Sequence, residues 1–478
     1  MNADLGEVFV GNADWPTLFE LDVGEKYRLR RVVEGAERTA EIRLLGLRAV
    51  DQPLPFARGQ RGIGEVRARV AVDGVEGELV GRAYQMPQIV NGVRIGVETA
   101  KEWAGQGLRT VEGVTRELRL AAVFEGETWG PAAARFPIRD YRWRSSTYMN
   151  TWGSVVPQPD RLYYHRGEDY GAEPDILEVV AVHGGRVTHS PLPNGDGASN
   201  RLSILEPSGV ATTYAHMDIE HVSCAMEVGT AVVAGRVLGR TGMTWQGKRS
   251  QTADPHLHVG FALAGPDGEP RTRFNSFPTL AEAYLRDYDD ACLPMAGGYI
   301  FALPGQPVRL DGTRSLARAG RRIMRHVWTL SDGRSVEAAS AAVTYKRPGY
   351  YVEKLTVVAD DGTAWSDIAQ VCVLDPGREA PRGFAGWLYH TPVRGIWPGT
   401  TVTFRAGLWR RATVAIDFGD GTAPVGYDRA VSHAYSQPGL YTVLVRGTDA
   451  AQPLTIGALV RVDKASESQD RQDGKGTR

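Results

Sequence analysis

The stretch DPHLHVGFAL, residues 254–263, places two histidines two positions apart in an otherwise largely apolar run. Such a run predicts a buried β-strand, whose side chains alternate between its two faces. His256 and His258 are therefore expected to point the same way, and Leu257 between them to face the core. The sequence predicts a rigid strand that presents two imidazoles on one side.

Two further segments carry groups that could join this pair. In YHRGEDYGA, residues 164–172, a glycine lies between His165 and Asp169 at a turn that enters a strand, and TTYAHM, residues 212–217, places His216 on a third strand. Histidines clustered with a carboxylate are a donor set that zinc prefers, and three protein ligands leave one coordination position open for water. The pattern predicts one metal site built from separate segments.

The distribution of histidine points to the same region, because seven of the ten histidines fall within residues 165–258. Three of these seven have no partner at ligand spacing and are predicted to be exposed: His183, His189 and His221. The three that follow residue 258 lie in the β-rich C-terminal part and are predicted to be structural: His326, His390 and His433.

Five segments together carry a family resemblance. They are YHRGEDYGA, VVAVHGGRV at 179–187, YAHM at 214–217, the glycine-paired VGTAVVAGRVLGRTGMT at 228–244, and DPHLHVGF. Over residues 163–261 the chain resembles the lysostaphin-like zinc metallopeptidases. The resemblance implies one Zn²⁺ per chain, with His165, Asp169 and His258 as metal ligands and His216 and His256 as two further catalytic histidines.

The same resemblance implies an endopeptidase that cleaves the peptide stems or cross-bridges of bacterial peptidoglycan, with glycine- or alanine-rich peptides as partners, in the cell envelope or outside the cell. No secretory signal is recognised, because the opening residues carry acids early and no apolar core. Two inserts, SPLPNGDGASN at 190–200 and WQGKRSQTAD at 245–254, are expected to set the width of the groove. The candidate groove residues are Tyr163, Tyr164, Tyr214 and Trp245.

The rest of the chain predicts a mainly β, multidomain protein. Tyr345-x-x-Pro-Gly-x-Tyr returns as Tyr435-x-x-Pro-Gly-x-Tyr, and with DFGDGT and SHAYSQPGLYTV it resembles the polycystic-kidney-disease-type (PKD) domain. An antiparallel metallopeptidase core is thus expected between an N-terminal β-domain and two immunoglobulin-like sandwiches that could contact proteins or glycans. The predicted units are 1–137 (β-rich, with a helical insertion near ETAKEWAGQG), 138–164 (connector), 165–293 (peptidase, closed by a short helix), 294–376 and 377–463 (sandwiches), and 464–478 (disordered tail).

The connector is unusually aromatic, and two interpretations of it stay open. Its rings either pack the connector onto the next domain, since aromatic side chains dominate interface burial, or some of them wall a groove for an extended ligand. The rings are Tyr141, Trp143, Tyr148, Trp152, Tyr163 and Tyr164.

Composition and motifs exclude several function classes. A formal net charge of -1 argues against nucleic-acid binding, and no stretch approaches the roughly 18 apolar residues of a membrane span. GMTWQGKR at 242–249 is not a phosphate-binding loop, because arginine follows its lysine. Three scattered cysteines predict buried thiols, with a Cys224–Cys292 bridge as the alternative.

Two alternatives to an active peptidase remain. The chain could keep the fold as a silent or latent wall-binding or regulatory protein, or it could be an adhesion scaffold in which the PKD-like repeats carry the main role. Loss of site residues would mark the silent class, and all five site positions are intact here.

Overall fold

A computed structural model of the chain describes most of its 478 residues, and nothing is stated of the others. Most of the predicted tail and of the opening segment lie outside this set. The described ranges are 7–9, 14–52, 62–104, 114–157, 162–250, 254–265, 267–375, 385–408, 413–427, 430–447 and 452–464.

The N-terminal region is built from two antiparallel sheets, in the orders β1-β2-β9-β8-β7 and β3-β4-β5-β6. In β3, buried and exposed residues alternate, so Tyr27, Leu29 and Arg31 point inward. The predicted helical insertion is a four-residue helix, α1, Lys101–Ala104. The strands are β1 Glu7–Phe9, β2 Thr17–Leu21, β3 Lys26–Val33, β4 Ala36–Gln52, β5 Gly62–Val72, β6 Val75–Gly81, β7 Gln88–Val90, β8 Val93–Ala100 and β9 Leu118–Phe124.

The central region is organised around one sheet in the order β10-β13-β22-β17-β16-β15-β18, with β23 also paired to β22. A helix, α2, Phe277–Asp287, follows this sheet, as predicted. The strands are β10 Met149–Asn150, β11 Val155–Pro157, β12 Leu162–Tyr164, β13 Glu168–Gly171, β14 Glu178–Val180, β15 Gly185–His189, β16 Leu202–Leu205, β17 Val210–Ala215, β18 Ala231–Val232, β19 Val237–Arg240, β20 Thr244–Trp245, β21 Lys248–Arg249, β22 His256–Ala264 and β23 Pro270–Phe274, with a 3-10 turn at Ile219–His221.

Two β-sandwiches follow. The first joins a five-stranded sheet, β25-β32-β31-β28-β29, to the pairs β26-β30 and β24-β27, and the second joins β33-β34-β37 to β36-β35-β38-β39. Each has its own buried apolar core drawn from both of its sheets. The strands are β24 Cys292–Leu293, β25 Tyr299–Ala302, β26 Pro307–Asp311, β27 Leu316–Ala317, β28 Ile323–Thr329, β29 Ser335–Glu337, β30 Ser340–Thr344, β31 Gly349–Ala359, β32 Ala364–Val373, β33 Gly386–Thr391, β34 Thr401–Leu408, β35 Val414–Asp417, β36 Val425–Gly426, β37 Val431–Ala434, β38 Gly439–Gly447 and β39 Thr455–Val462.

The regions are packed against one another through shared apolar cores. Trp15, Leu18 and Tyr84 of the N-terminal region belong to the same buried cluster as Leu257 of β22, which faces the core as predicted. Five of the six connector rings are buried: Tyr141, Trp143, Tyr148, Trp152 and Tyr164. The packing interpretation is confirmed for Tyr141 and Trp143, which belong to the same buried cluster as Leu257.

Two sets of predictions about single residues need correction. Cys224 is exposed, while Cys292 and Cys372 are buried, and no disulfide joins Cys224 to Cys292, so the alternative bridge does not form. None of the three histidines predicted to be exposed is so. His183 is buried with its Nε2 at 2.5 Å from Thr212 Oγ1, and two are half-buried beside charged partners, His189 by Arg201 and His221 by Asp175.

None of the helices in the described ranges is long and apolar enough to cross a membrane.

Candidate metal centre

Neighbouring strands bring a carboxylate and two imidazoles together. Asp169 on β13 lies directly opposite His258 on β22, and His258 Nδ1 is 2.7 Å from Asp169 Oδ1. His165, just after β12, places its Nε2 3.0 Å from Asp169 Oδ2. Ligand atoms of these three residues all lie within 4.8 Å of one another, which is close enough to hold one metal ion.

The orientation of His165 is set by the turn that the sequence YHRGED predicted. His165 Nδ1 donates to the carbonyl oxygen of Gly167 at 2.8 Å, so Nε2 is the ring nitrogen that faces Asp169. A Cβ at Gly167 would lie 2.5 Å from the carbonyl oxygen of Val259 and 2.9 Å from the imidazole of His258. Glycine is therefore required where the turn passes over β22.

Two residues that the sequence did not single out for this role also contact Asp169. Tyr148 Oη donates to Asp169 Oδ2 at 3.1 Å, and Asn150 Nδ2 lies 3.3 Å from the same oxygen. The two side chains also bond to each other, Nδ2 to Oη, at 3.1 Å. The carboxylate is thus oriented from one side by His258 and from the other by Tyr148 and Asn150.

The two remaining histidines lie beside this group. His216 and His256 have ring centroids 4.5 Å apart, and His256 Nε2 is 3.6 Å from Asp169 Oδ1. Each donates Nδ1–H to a backbone carbonyl, His216 to Thr244 and His256 to Asp254, which leaves both Nε2 atoms as acceptors. His216 follows the last residue of β17 instead of lying on it, with a left-handed φ of 72°.

Burial and mutual charge set the protonation of these groups. Burial alone would raise the pKa of Asp169, but the charges of His165 and His256 and hydrogen bonds from His165 and His258 hold it well below its ordinary value. Burial, and secondarily the charges of His256 and His258, lower the pKa of His216 to about 3. The site therefore pairs an ionised carboxylate with a neutral imidazole at His216.

Comparison with known families matches the region that holds these residues to a peptidase family. Residues 163–270 match Peptidase family M23, and residues 293–373 and 388–462 each match the PKD domain. The chain carries an M23 peptidase domain followed by two PKD domains. This confirms both family resemblances predicted from the sequence, and the two PKD domains agree with the predicted mainly β, multidomain fold.

Similar solved structures include three peptidases. One, from Ruminococcus gnavus, is described as a glycyl-glycine endopeptidase LytM (24% identity, TM-score 0.23), and the match covers 31% of this chain and 59% of that one. The others are a peptidase M23 from Pseudomonas aeruginosa (15%, 0.22, covering 54% and 92%) and a zinc containing peptidase from Vibrio cholerae (15%, 0.22, covering 47% and 83%). None of the curated proteins compared with this chain matches it.

The two inserts noted in the sequence meet beside His216 of the M23 domain. The backbone N–H of His216 donates to Ser199 O at 2.6 Å, and that of Gly247 donates to Ala198 O at 2.7 Å. Trp245, on the β20–β21 hairpin, stacks on His216 with ring centroids 5.2 Å apart, and its side chain stays 46% exposed. The inserts thus form one wall next to the metal centre, with Trp245 at its surface.

Two of the four predicted groove residues lie elsewhere. Tyr214 is fully buried in the core of the M23 domain, where its hydroxyl accepts the backbone N–H of Val182 at 2.7 Å. Tyr164 packs against Trp103 of the N-terminal region, and its hydroxyl accepts the backbone N–H of Ile63. The groove predictions for Tyr214 and Tyr164 are wrong because both side chains fill apolar cores. Tyr163 is half-buried and stays a prediction, as does Trp245.

Proposed function

We propose that the chain is a zinc-dependent endopeptidase that hydrolyses peptide bonds in the stems or cross-bridges of bacterial peptidoglycan. The observation that carries the proposal is the convergence of His165, Asp169 and His258 within an M23 peptidase domain. Among the described residues, no other set of three or more His, Cys, Asp or Glu side chains comes together in this way.

The donor set fits zinc. Two imidazole nitrogens and one carboxylate are a common catalytic zinc environment. The pKa of Asp169 is held low, and burial lowers the pKa of His258, and both shifts favour the deprotonated forms that bind metal. A zinc ion held by these three residues would lower the pKa of a bound water to about 7 and polarise the scissile carbonyl.

His216 and His256 supply the proton transfers and the charge stabilisation that amide hydrolysis needs. Because Nδ1 of each is bonded to a carbonyl, Nε2 is the atom that acts. One Nε2 accepts the proton of the attacking water, and the other, when it carries a proton, donates it to the oxyanion or to the leaving amine. Buried, hydrogen-bonded rings hold these atoms in place before substrate arrives.

The substrate class and the place of action follow from the family resemblance. The wall that carries Trp245 offers an exposed indole face beside the centre, suited to an extended peptide. Peptidoglycan peptides place the enzyme in the cell envelope or outside the cell, and contacts of the PKD domains with proteins or glycans would add affinity for the wall.

The test combines zinc content with release of new amino groups from purified peptidoglycan, with and without a chelator. We expect chelator-sensitive release from wild type and none from His256→Ala, which keeps the three metal-binding residues. Bound zinc without release from wild type would contradict the proposal and favour the silent or latent protein instead.

A further inference from the structure

Residues 144–150, here called the strap, connect the metal centre to both PKD domains. At the end of the strap, β10 pairs with β13 so that Asn150 lies opposite Asp169. Tyr148 and Asn150 both bond the Asp169 carboxylate, as described above. The last three residues of the strap therefore set one side of the Asp169 environment.

Thr147, one residue earlier, is fully buried and bonded to both PKD domains. In the second PKD domain, Leu388 O accepts from the Thr147 backbone N–H at 2.9 Å and Gly457 O accepts from its hydroxyl at 2.7 Å. In the first, Gln370 Nε2 donates to Thr147 O at 2.7 Å. All three polar groups of this residue thus bind the C-terminal domains, directly before the residue that touches Asp169.

The other end of the strap is fixed to the same two domains. Arg144 Nε donates to Asp367 Oδ1 of the first PKD domain at 2.6 Å, and both side chains are at most 2% exposed. The carbonyl of Arg144 accepts the backbone N–H of Leu459, in the second PKD domain, at 2.9 Å. A buried ion pair of this kind leaves an uncompensated charge if it separates, so the contact resists displacement.

Little space separates the strap from β13. A Cβ at Gly171 would lie 2.3 Å from the carbonyl oxygen of Tyr148 and 2.5 Å from Ser146 Oγ. Close backbone contact of this kind transmits a displacement of the strap to the strand that carries Asp169.

We infer that the PKD domains are part of the metal centre, because they hold the strap at Thr147 and Arg144 and thereby orient the Tyr148 and Asn150 side chains on Asp169. Thr147 is a positioning residue in this arrangement. The inference rests on the metal site of the proposed function. Removing a group that bonds a metal-ligating carboxylate typically changes metal affinity about 10- to 100-fold. Thr147 acts on Asp169 only through Tyr148 and Asn150, so a smaller change is expected when its hydroxyl is removed.

Paired substitutions at Thr147 in the full chain test this inference. Thr147→Val keeps the shape and loses the hydroxyl, whereas Thr147→Ser keeps the hydroxyl and loses the methyl group. The Zn²⁺ dissociation constant is measured by chelator competition, and ligand geometry by the visible spectrum with Co²⁺. We expect Thr147→Val to weaken Zn²⁺ at least about threefold, the scale of one hydrogen bond, and to shift the Co²⁺ spectrum, with Thr147→Ser close to wild type.

Thr356→Val is the matched control. It removes a hydroxyl that bonds Ser366 Oγ at 3.0 Å inside the first PKD domain, away from the strap, so the Zn²⁺ affinity and Co²⁺ spectrum should not change. If Thr147→Val does not fold, Gln370→Met removes a contact from the PKD side and carries the same expectation.

The outcomes separate the two proposals. Wild-type affinity in Thr147→Val, or a loss in Thr147→Ser as large as that in Thr147→Val, would overturn the strap inference, because only packing would then matter. Failure of wild type to bind Zn²⁺ would instead overturn the proposed function, and the strap inference with it.

Discussion

Strands β22 and β10 flank β13 on opposite sides, and both contact Asp169. Strand β22 is nine residues long and brings His258, whereas β10 has two residues and brings Asn150 next to Tyr148. Strand β22 is evident in the sequence as an apolar run with two histidines. Strand β10 lies in an aromatic connector whose sequence shows no strand periodicity.

A sequence shows the metal ligands of such a site more readily than the groups that orient them. Metal ligands come from few residue types at restricted spacings, so His165, Asp169 and His258 stand out. The groups that orient a ligand need only a hydrogen-bond donor at the right point. Tyr148 and Asn150 become meaningful only once strand pairing places them opposite Asp169.

The largest effect on stability is expected at the buried ion pair between Arg144 of the strap and Asp367 of the first PKD domain. Asp367→Ala leaves the buried guanidinium of Arg144 without its carboxylate, which should reduce the free energy of unfolding by about 3–5 kcal/mol. Asp267→Ala is the matched control, because its ion pair with Arg271 is exposed to solvent and should contribute little to stability. The free energy of unfolding is measured with denaturant. Equal losses in the two variants would show that the buried Arg144–Asp367 ion pair does not hold the strap in place.

A pH-dependent effect is expected where the N-terminal region meets the M23 domain. Glu98 accepts the backbone N–H of Asn275, and burial raises its pKa to about 8. Its contribution to stability is complete below the unfolded pKa near 4.5 and is lost as pH rises toward 8. Glu98→Gln should therefore be more stable than wild type above pH 8, by up to a few kcal/mol, and equal to it in acid.

Thermal unfolding of both proteins across this pH range measures the effect. Parallel stability curves for wild type and Glu98→Gln would mean that Glu98 titrates alike in the folded and unfolded chains.

On the β22 side, Gly167→Ala should displace the turn that carries His165, because the added Cβ meets backbone and imidazole atoms of β22. Overpacking of this kind costs about 1–3 kcal/mol, so Zn²⁺ affinity should fall about 5- to 150-fold. Gly46→Ala is the control, since no atom of the described residues, apart from its own chain neighbours, lies within 4 Å of its added Cβ. Unchanged affinity in Gly167→Ala would show that the turn can relax without moving His165.

On the β10 side, Tyr148→Phe removes one hydrogen bond to Asp169 and should weaken Zn²⁺ binding about tenfold. Tyr84→Phe is the matched control, because the Tyr84 hydroxyl is buried with no hydrogen-bond partner among the described residues. Zn²⁺ affinities are measured by chelator competition. Equal affinities of the two variants would show that the Tyr148 hydrogen bond beside β10 does not contribute to metal binding.

Much of the fold and site was predictable from patterns that need no long-range information. The apolar alternation around Leu257 predicted β22, and repeated Pro-Gly-x-Tyr motifs predicted two sandwiches. The failures have local causes. Residues 214 and 216 would share a face in a continuous strand, but the left-handed backbone at His216 ends β17 and leaves Tyr214 in the core.

Contacts between distant segments could not be predicted in the same way. Tyr164 fills the N-terminal core because β12 pairs with β11 and approaches Trp103 and Ile63. His183 is buried against Thr212 for a similar reason, the packing of strands far apart in the chain. Spacing along the sequence carries no information on either contact.

We propose different roles for the two same-facing histidines on β22, with His258 as metal ligand and His256 in catalysis. The most direct test is the zinc content of purified His258→Ala and His256→Ala, with His216→Ala as a third sample. We expect His258→Ala to lose the metal, and His256→Ala and His216→Ala to retain most of it and lose only peptide hydrolysis. Equal zinc loss in all three variants would contradict the assignment of the ligands.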